Sequence, residues 1–367
     1  MGSTEINISN ANEDVELLKA HAEVYNHLFG YADTLALRTA VELRIADIIH
    51  SHGHPITLSQ IASKIEAPSL DVTYLGRVMR MLVRKKIFTI EYNNQTSGEE
   101  VVPLYGITTT SKWLLYDQDL SLAPMFLTLS DPLITKPWYE FSRSIKEGGM
   151  PFVKAHGMSV WEMASKNKEF NNLFNVGMTA ATKPTLDAVI KGYKDEFSKL
   201  EGTLLVDVGG GTGNLMAEIL KAYPKIKGIN FDLPPTVASA PQHSGVTHVG
   251  GDMFKEIPSA DNVIIKSVLH DWADKECLTI LKNCQKAVSE KKGRVIIVDI
   301  VLHPDGHGIF DDATISLDLL IMANTDGGKE RTEDEWKKLL KEAGFTRINF
   351  IPLQTIMSFS VIEAFLQ

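Results

Sequence analysis

A run of glycines directly follows an apolar stretch in the second half of the chain. Residues 204–208 are apolar except for Asp207, and the segment Gly209–Gly213 contains only glycine and one threonine. Glycines let the backbone turn tightly and approach a ligand, and the helix expected from Asn214 favours negative groups at its amino terminus. The run therefore predicts a nucleotide-binding turn, although Asn214 replaces the third glycine of the dinucleotide pattern G-x-G-x-x-G.

Acidic residues follow the next two predicted strands. Asp232 ends the second strand, where a nucleotide-binding sheet places the carboxylate that binds ribose hydroxyls. Asp252 and Met253 follow the third strand, and a carboxylate beside a soft apolar side chain suits the edge and the face of an adenine ring. Each acid alone could equally cap its own loop. Together with the glycine run, they predict one nucleotide site at the tips of three strands.

His270 closely follows the fourth predicted strand, which ends at Lys266. A single histidine is more often structural than catalytic, but ligands bind at the carboxyl ends of the strands in sheets of this kind. An imidazole titrates near pH 6.5 and can transfer protons at neutral pH. His270 is therefore the candidate general base.

The elements that would hold these residues alternate between strand and helix from residue 203 onward. The predicted strands are 204–208, 226–231, 246–249, 262–266 and 294–299, with a final strand pair at 349–352 and 361–364. The predicted helices are 214–223, 274–288, 311–325 and 332–343. This alternation predicts an α/β fold with a doubly wound, mostly parallel, Rossmann-like sheet.

The first part of the chain shows helical spacing of apolar residues instead. Strands predicted at 88–90 and 101–107, joined by the polar loop 93–100, complete the outline of a winged helix. Acidic residues outnumber basic ones over 1–115, which argues against DNA binding, and the apolar early helices favour self-association. We predict a winged-helix-like dimerisation domain over 1–115 and a nucleotide-binding domain over 116–367. A winged-helix regulator that senses a ligand is the alternative from a different class.

The composition of the chain limits where the protein is located and which macromolecules it binds. The chain has 367 residues and a net charge of -9, which repels nucleic acid and anionic membranes. No run approaches the roughly 18 apolar residues of a membrane span, and the polar start of the chain is unlike a signal peptide. Cys277 and Cys284 share one predicted helix, about 10 Å apart along its axis, too far for a disulfide. We expect a soluble cytoplasmic protein with buried thiols and without nucleic-acid or membrane partners.

Several motifs together resemble the plant S-adenosylmethionine-dependent small-molecule O-methyltransferases, which include caffeic acid, isoflavone and alkaloid methylating enzymes. The motifs are Asp207–Gly213, Asp232–Pro234, Gly250–Phe254, Leu269–Trp272 and Gly327–Thr332. The resemblance covers nearly the whole chain. It implies a Rossmann-like methyltransferase sheet preceded by a mainly helical dimerisation domain, and a homodimer. An NAD-dependent oxidoreductase is the rival enzyme class.

The resemblance also implies S-adenosylmethionine as co-substrate and no metal ion. Asp232 would bind the ribose hydroxyls, Met253 would lie against adenine, and Trp272 would form a second adenine wall. The implied contact residues are Gly209, Asp232, Asp252, Met253, Lys266 and Trp272.

The reaction implied by the resemblance needs a base, since a phenol has a pKa near 10 and little phenolate exists at pH 7. His270 would take the proton, oriented by Asp299 at the end of the fifth strand or by Glu330 in the loop before the last long helix. Caffeic acid methyltransferases have Glu at the strand-five position, so Asp299 has a shorter reach. Asp271 is expected to point away from His270, because neighbouring side chains diverge.

The acceptor site implied by the resemblance is lined by aromatic, methionine and aliphatic side chains, which grip a planar ring. The residues are Phe170, Phe174, Met178, Ile321, Met322 and Thr325. None of them is Lys or Arg, which argues against a carboxylated acceptor. The remaining sequence is most similar to the alkaloid branch, which methylates benzylisoquinoline or protoberberine phenols. Isoflavonoid or phenylpropanoid acceptors are the alternative.

Overall fold

The computed structural model describes residues 8–92, 101–291, 293–353 and 356–366, without the side chains of residues 8–12 and 356. The polar loop predicted at 93–100 lies outside these ranges. The chain forms two compact units, Met1–Asp131 and Pro132–Gln367. Within the described ranges, no helix is both long and apolar enough to cross a membrane.

The first unit consists mainly of helices, with a small antiparallel sheet in the order β1-β3-β2. Its helices are α1 Ile8–Leu28, α2 Gly30–Glu42, α3 Ile45–His52, α4 Leu58–Ala62, α5 Val72–Arg84, α6 Thr109–Lys112 and α7 Ala123–Leu129. Its strands are β1 Ile56–Thr57, β2 Phe88–Tyr92 and β3 Pro103–Ile107. Thr57 caps α4 by accepting the backbone N–H of Gln60, whose side chain accepts the N–H of Thr57, so this helix begins at a capping box.

The second unit is built around one large twisted sheet. Its strands are β4 Leu204–Val208, β5 Lys227–Asp232, β6 Val246–Gly250, β7 Asn262–Lys266, β8 Arg294–Leu302, β9 Arg331–Thr332, β10 Arg347–Pro352 and β11 Phe359–Phe365. The order is β10-β11-β8-β7-β4-β5-β6, with β9 beside β8. Strands β4 to β9 pair in parallel, and β10 and β11 pair antiparallel. The predicted α/β fold with a mostly parallel sheet is confirmed.

Helices cover both faces of this sheet, since parallel strands are apolar on both sides. The helices are α8 Pro132–Thr135, α9 Phe141–Glu147, α10 Pro151–His156, α11 Val160–Lys166, α12 Lys168–Gly192, α13 Lys194–Lys199, α14 Asn214–Ala222, α15 Pro234–Ser239, α16 Asp274–Ser289, α17 Asp311–Asn324 and α18 Glu333–Glu342. Side chains of α16 and α18 fill the core on one face, and those of α12 and α14 fill it on the other. Cys277 and Cys284 are buried free thiols in α16, as predicted.

Strand β8 is longer than the sequence predicted. It extends to Leu302, so Asp299 lies inside the strand and not at its end. The extension is paired on both sides: Ile300 pairs with Phe359 of β11, and the last two residues of β8 pair with β9. Cross-strand pairing beyond Asp299 comes from distant parts of the chain, which a local pattern does not contain.

Candidate active site

The turn after β4 is built from glycines where a side chain does not fit. Gly209 and Gly211 have positive φ angles of 70° and 58°. A Cβ at Gly210 would lie 2.1 Å from Asn230 Oδ1 and 2.5 Å from Asp207 Oδ2. Both of these oxygens are buried and have no hydrogen-bond partner in the described part of the chain. The turn therefore offers bare backbone beside buried polar oxygens, which suits a polar ligand held close to the main chain.

The carboxylates predicted at the strand tips organise the turns around this glycine segment. Asp232 Oδ2 accepts the backbone N–H of Gly211 at 2.8 Å, and its Oδ1 accepts that of Leu233 at 2.7 Å. Asp252 Oδ1 accepts the backbone N–H of Phe254 at 3.0 Å. Asp232 therefore ties its own loop to the glycine turn, and Asp252 caps its own loop. They are half-buried at the ends of β5 and β6, beside the glycine turn, with lone pairs left for ligand hydroxyls.

An apolar patch lies next to Asp252. Phe254 and Trp272 pack edge to face with ring centroids 4.8 Å apart, and Met253 packs with them against the buried core. Soft and aromatic side chains of this kind suit a purine face. Met253 and Trp272 both pack against this core, and their contact with adenine stays a prediction.

Lys266 ends β7 between two carboxyl groups. Burial lowers the pKa of Lys266, opposed by the charges of Asp207 and Asp299. Burial also raises the pKa of Asp207 to about 7. Burial therefore opposes the charged forms of both Lys266 and Asp207, and the charge of each partly offsets this effect on the other.

This set of donors and acceptors fits S-adenosylmethionine. A bare glycine turn, carboxylates at successive strand tips, an apolar patch and a buried lysine match a ligand with ribose hydroxyls, a purine and a charged amino acid part. The residues that would hold it are Gly209, Asp232, Asp252, Met253, Lys266 and Trp272.

His270 lies in the short 3-10 helix Leu269–Asp271 that follows β7. Its Nδ1 is 2.8 Å from Glu330 Oε1, and the Glu330 side chain is fully buried. Asp299 Oδ1 lies 3.6 Å from the same nitrogen, beyond hydrogen-bond distance. Of the two orienting partners predicted, Glu330 makes the direct contact and Asp299 adds a nearby charge.

Asp271 does not point away from His270, and that expectation was wrong. Its Oδ1 lies 3.7 Å from His270 Nε2. The two residues belong to a 3-10 turn, in which successive side chains project about 120° apart, and not to a strand, in which they project to opposite faces. Carboxyl groups therefore lie near both ring nitrogens.

The electrostatic environment of His270 favours its cationic form. Burial alone would lower the pKa of His270, but the charge of Asp299 and the hydrogen bond to Glu330 outweigh it and raise the pKa to about 10. Burial raises the pKa values of Glu330 and Asp271. One imidazole thus serves as the positive partner for a group of carboxyls.

Two residues that the sequence analysis did not single out hold this group together. Asp318 of α17 accepts the backbone N–H of Glu330 at 2.8 Å. Arg331, fully buried, donates to the carbonyls of Leu269 and Trp272. Arg331 lies within the motif that carries the resemblance, which was the available signal. Nothing in the sequence indicated that Arg331 is buried, because arginine is usually exposed.

The ligand atoms of His270, Asp299 and Glu330 all lie within 4.8 Å of one another, a grouping able to hold a metal ion. The sequence predicted no metal site. The 2.8 Å separation of Nδ1 and Oε1 is that of a direct charge-assisted hydrogen bond, with a proton between the two atoms. The three side chains can therefore share a proton, and the absence of a metal ion stays a prediction.

The predicted acceptor residues lie on two helices of the second unit. Phe170 and Phe174 of α12 stack with centroids 5.9 Å apart, and Trp161 packs edge to face on Phe174 at 6.1 Å. Ile321, Met322 and Thr325 lie on or next to α17, where Thr325 is buried and donates its hydroxyl to the carbonyl of Ile321. The structure contains both groups of side chains, one on α12 and one on or next to α17. Their convergence on one acceptor stays a prediction.

Comparison with known proteins agrees with this geometry. A model of the O-methyltransferase domain matches residues 138–346, and a model of the O-methyltransferase dimerisation domain matches residues 25–117. The chain is 48% identical to (R,S)-reticuline 7-O-methyltransferase of Papaver somniferum, covering 95% of this chain and 98% of that one. It is also 48% identical to desmethylxanthohumol 6'-O-methyltransferase of Humulus lupulus, covering 96% and 100%.

A solved structure shares the fold. Human N-acetylserotonin methyltransferase in complex with S-adenosylmethionine superimposes with a TM-score of 0.78 at 22% identity, covering 100% of this chain and 99% of that one. The matched domains and the similarity along nearly the whole chain show the family. The chain belongs to the S-adenosylmethionine-dependent O-methyltransferases.

Proposed function

We propose that this protein methylates a phenolic hydroxyl of a benzylisoquinoline or protoberberine alkaloid, with His270 as the general base. The observation that carries the proposal is the 2.8 Å contact between His270 Nδ1 and Glu330 Oε1. That contact assigns a proton to Nδ1 and leaves Nε2 to face the acceptor. Glu330 then orients the imidazole and stabilises the imidazolium that forms.

The chain's own task is to hold and move one proton. Bound S-adenosylmethionine supplies an already activated methyl group and a positive charge, which opposes protonation of a nearby imidazole. His270, charged at pH 7 in the free protein, has to lose its proton before it can accept another. Asp299 and Glu330 keep the ring in place and stabilise the imidazolium after the phenolic proton arrives.

An alkaloid acceptor is supported by charge as well as by similarity. Asp271 lies 3.7 Å from His270 Nε2, on the side where the acceptor hydroxyl would approach. Asp318 lies on α17, the helix that carries the predicted acceptor residues Ile321 and Met322. A site surrounded by carboxyl groups favours an acceptor with a protonated amine. The reticuline methyltransferase, one of the most similar relatives, acts on such a molecule.

A chalcone acceptor is the second candidate, because desmethylxanthohumol 6'-O-methyltransferase is as similar in sequence. Isoflavonoid and phenylpropanoid phenols belong to the same alternative. These acceptors have no amine to protonate, and some carry a carboxylate, so the carboxyl groups around His270 give them no added attraction.

The acceptor class is tested with labelled S-adenosylmethionine and a panel of reticuline, norcoclaurine, desmethylxanthohumol, an isoflavone and caffeic acid. We expect kcat/KM for the alkaloids to exceed that for every other phenol by about tenfold or more, the scale of discrimination that one favourable contact supplies. A preference for the chalcone would overturn the alkaloid proposal and leave methyl transfer to a phenol intact. Transfer to none of these phenols would contradict both.

The proposal includes a homodimer formed through the first unit, a cytoplasmic location and a reaction without a metal ion. We expect full turnover after dialysis against EDTA, and a loss that added divalent metal restores would contradict this part. The alternative regulator predicts DNA binding that weakens steeply with salt, whereas we expect none in a mobility-shift titration.

A further inference from the structure

The hydrogen bond between His270 and Glu330 joins two distant segments of the chain. His270 lies in the loop after β7, and Glu330 lies just before β9. The residue after Glu330 is Arg331, whose side chain is fully buried. A buried guanidinium requires hydrogen-bonded partners, and the identity of those partners indicates what it does.

The guanidinium binds the backbone on both sides of His270. Arg331 Nη1 donates to the carbonyl of Leu269 at 3.0 Å, and Nη2 donates to that of Trp272 at 2.9 Å. The backbone N–H of Lys329 donates to the carbonyl of His270 at 2.9 Å. Three carbonyls of the His270 loop are therefore held by the segment that carries Glu330.

The rest of the guanidinium is anchored to fixed elements. Asp274 Oδ1, at the start of α16, accepts from Nε at 3.0 Å and from Nη2 at 2.8 Å. The ring of Trp336 lies 5.3 Å away, and its Nε1 donates to the carbonyl of Ile300, next to Asp299 in β8. Arg331 thus links the His270 loop to α16, α18 and β8.

We propose that Arg331 is a positioning residue that sets the distance between His270 and Glu330. This inference rests on the proposed role of His270. Packing alone would be served by an apolar side chain, since replacing a buried ion pair by apolar residues is often neutral or stabilising. The arginine is needed because its planar fork reaches several acceptors in fixed directions. A lysine has one nitrogen and cannot bridge the carbonyls of Leu269 and Trp272 while keeping Asp274.

The test compares Arg331→Lys with Arg294→Lys as a matched control. Arg294 is also a largely buried arginine paired with carboxylates, Glu196 and Glu363, but it begins β8 at the end of the strand away from His270. Both variants retain the positive charge. The measurements are melting temperature, affinity for S-adenosylhomocysteine, kcat and KM for the best phenol of the panel, and the pKa of His270 from NMR titration.

We expect Arg331→Lys to lower kcat at least about tenfold, since small misplacements of reacting groups cost that much or more. We expect KM and affinity for S-adenosylhomocysteine to stay within about threefold, because the guanidinium is fully buried and so is shielded from either ligand. The pKa of His270 falls by about one unit or more as the contact to Glu330 loosens. Arg294→Lys changes the melting temperature and leaves kcat and the pKa of His270 as they are. Equal kcat losses in both variants, or an unchanged His270 pKa in Arg331→Lys, would overturn the proposal.

A second variant decides the question if Arg331→Lys fails to fold. A Cβ at Gly328 would lie 2.3 Å from the hydroxyl oxygen of Thr325, 2.5 Å from the carbonyl oxygen of His270 and 2.9 Å from the carbonyl carbon of Asp271. Gly328→Ala therefore pushes the same two segments apart and leaves Arg331 in the chain. We expect the same loss of kcat and the same fall in the His270 pKa. Wild-type values for both in Gly328→Ala would contradict the positioning role.

The NMR titration separates this inference from the proposed base. If His270→Gln keeps wild-type turnover, His270 is not the base, and the proposed function fails on that point. The His270 pKa in Arg331→Lys and Gly328→Ala still reports whether the guanidinium sets the contact to Glu330, because it needs no turnover. A fall in both variants supports the positioning role, and an unchanged pKa in both rejects it.

Discussion

At the scale of residues, the chemistry of the site depends on three carboxyl groups around one imidazole. Glu330 makes the hydrogen bond at 2.8 Å, and Asp299 and Asp271 lie 3.6 and 3.7 Å from the two ring nitrogens. Each negative charge stabilises the imidazolium and so raises the pKa of His270. The same carboxyls that would stabilise the product of proton transfer therefore hold the free protein in the protonated form.

This arrangement predicts the pH dependence of the reaction. The base works deprotonated, so kcat/KM falls as pH drops below the pKa of His270, which is about 10 in the free protein. Asp299→Asn removes a charge that raises this pKa, so the rising limb of the kcat/KM profile moves to lower pH, by on the order of one unit. The exposed Asp305→Asn serves as control and leaves the profile in place. A limb at the same pH in both variants would contradict the electrostatic account.

The sequence predicted that His270 lies near two acidic residues but not which of them contacts the imidazole. Strand ends and the family motif brought His270, Asp299 and Glu330 together, yet the choice between the two acids depends on distances of 2.8 and 3.6 Å that only the folded loops determine. Arg331 lies in the family motif but was not singled out, because nothing local distinguishes a buried arginine from an exposed one. The expected direction of Asp271 was wrong because successive side chains diverge less in a 3-10 turn than in an extended strand.

At the scale of secondary-structure elements, the ligand site lies at the carboxyl ends of parallel strands. Parallel pairing of β4 with β5 and β7 places the glycine turn, Asp232 and Lys266 at one edge of the sheet. The helix α14 begins directly after Gly213, whose φ of 85° allows the sharp change of direction. These elements followed from alternating apolar runs and glycines, which are local signals. The extension of β8 did not, because it depends on β9 and β11.

The glycine turn gives a prediction at this scale. Gly210→Ala places a methyl group against Asn230 Oδ1 and Asp207 Oδ2, so the turn has to open and its backbone moves away from the ligand. We expect the affinity for S-adenosylhomocysteine to fall at least about tenfold by calorimetry, the effect of losing one or two backbone contacts. Gly30→Ala, where an added Cβ meets nothing within 4 Å, is the control. Equal affinities in the two variants would contradict the role of the glycine turn in binding the ligand.

At the scale of the whole molecule, the first unit exposes many large apolar side chains. In α1, Leu17, Leu18 and Val24 are 70%, 67% and 64% exposed. Exposed apolar side chains of this kind are typical of an interface, and the matched dimerisation domain begins at residue 25, in the last turn of this helix. The apolar early helices of the sequence indicated such a surface.

The double variant Leu17→Glu with Leu18→Glu tests the use of this surface. Charges there oppose burial against a second copy, so we expect a shift from dimer to monomer in light scattering. Ile145→Glu, on α9 and 80% exposed, is the control and stays dimeric. A double variant that remains dimeric would place the interface elsewhere.

The most direct test of the central claim is the turnover of His270→Gln with saturating S-adenosylmethionine and the best phenol of the panel. Glutamine keeps a polar side chain beside Glu330 but cannot accept the phenolic proton at neutral pH. We predict that kcat falls at least about a hundredfold while affinity for S-adenosylhomocysteine stays within about threefold. A variant that keeps more than about a tenth of wild-type kcat would contradict the claim that His270 is the base.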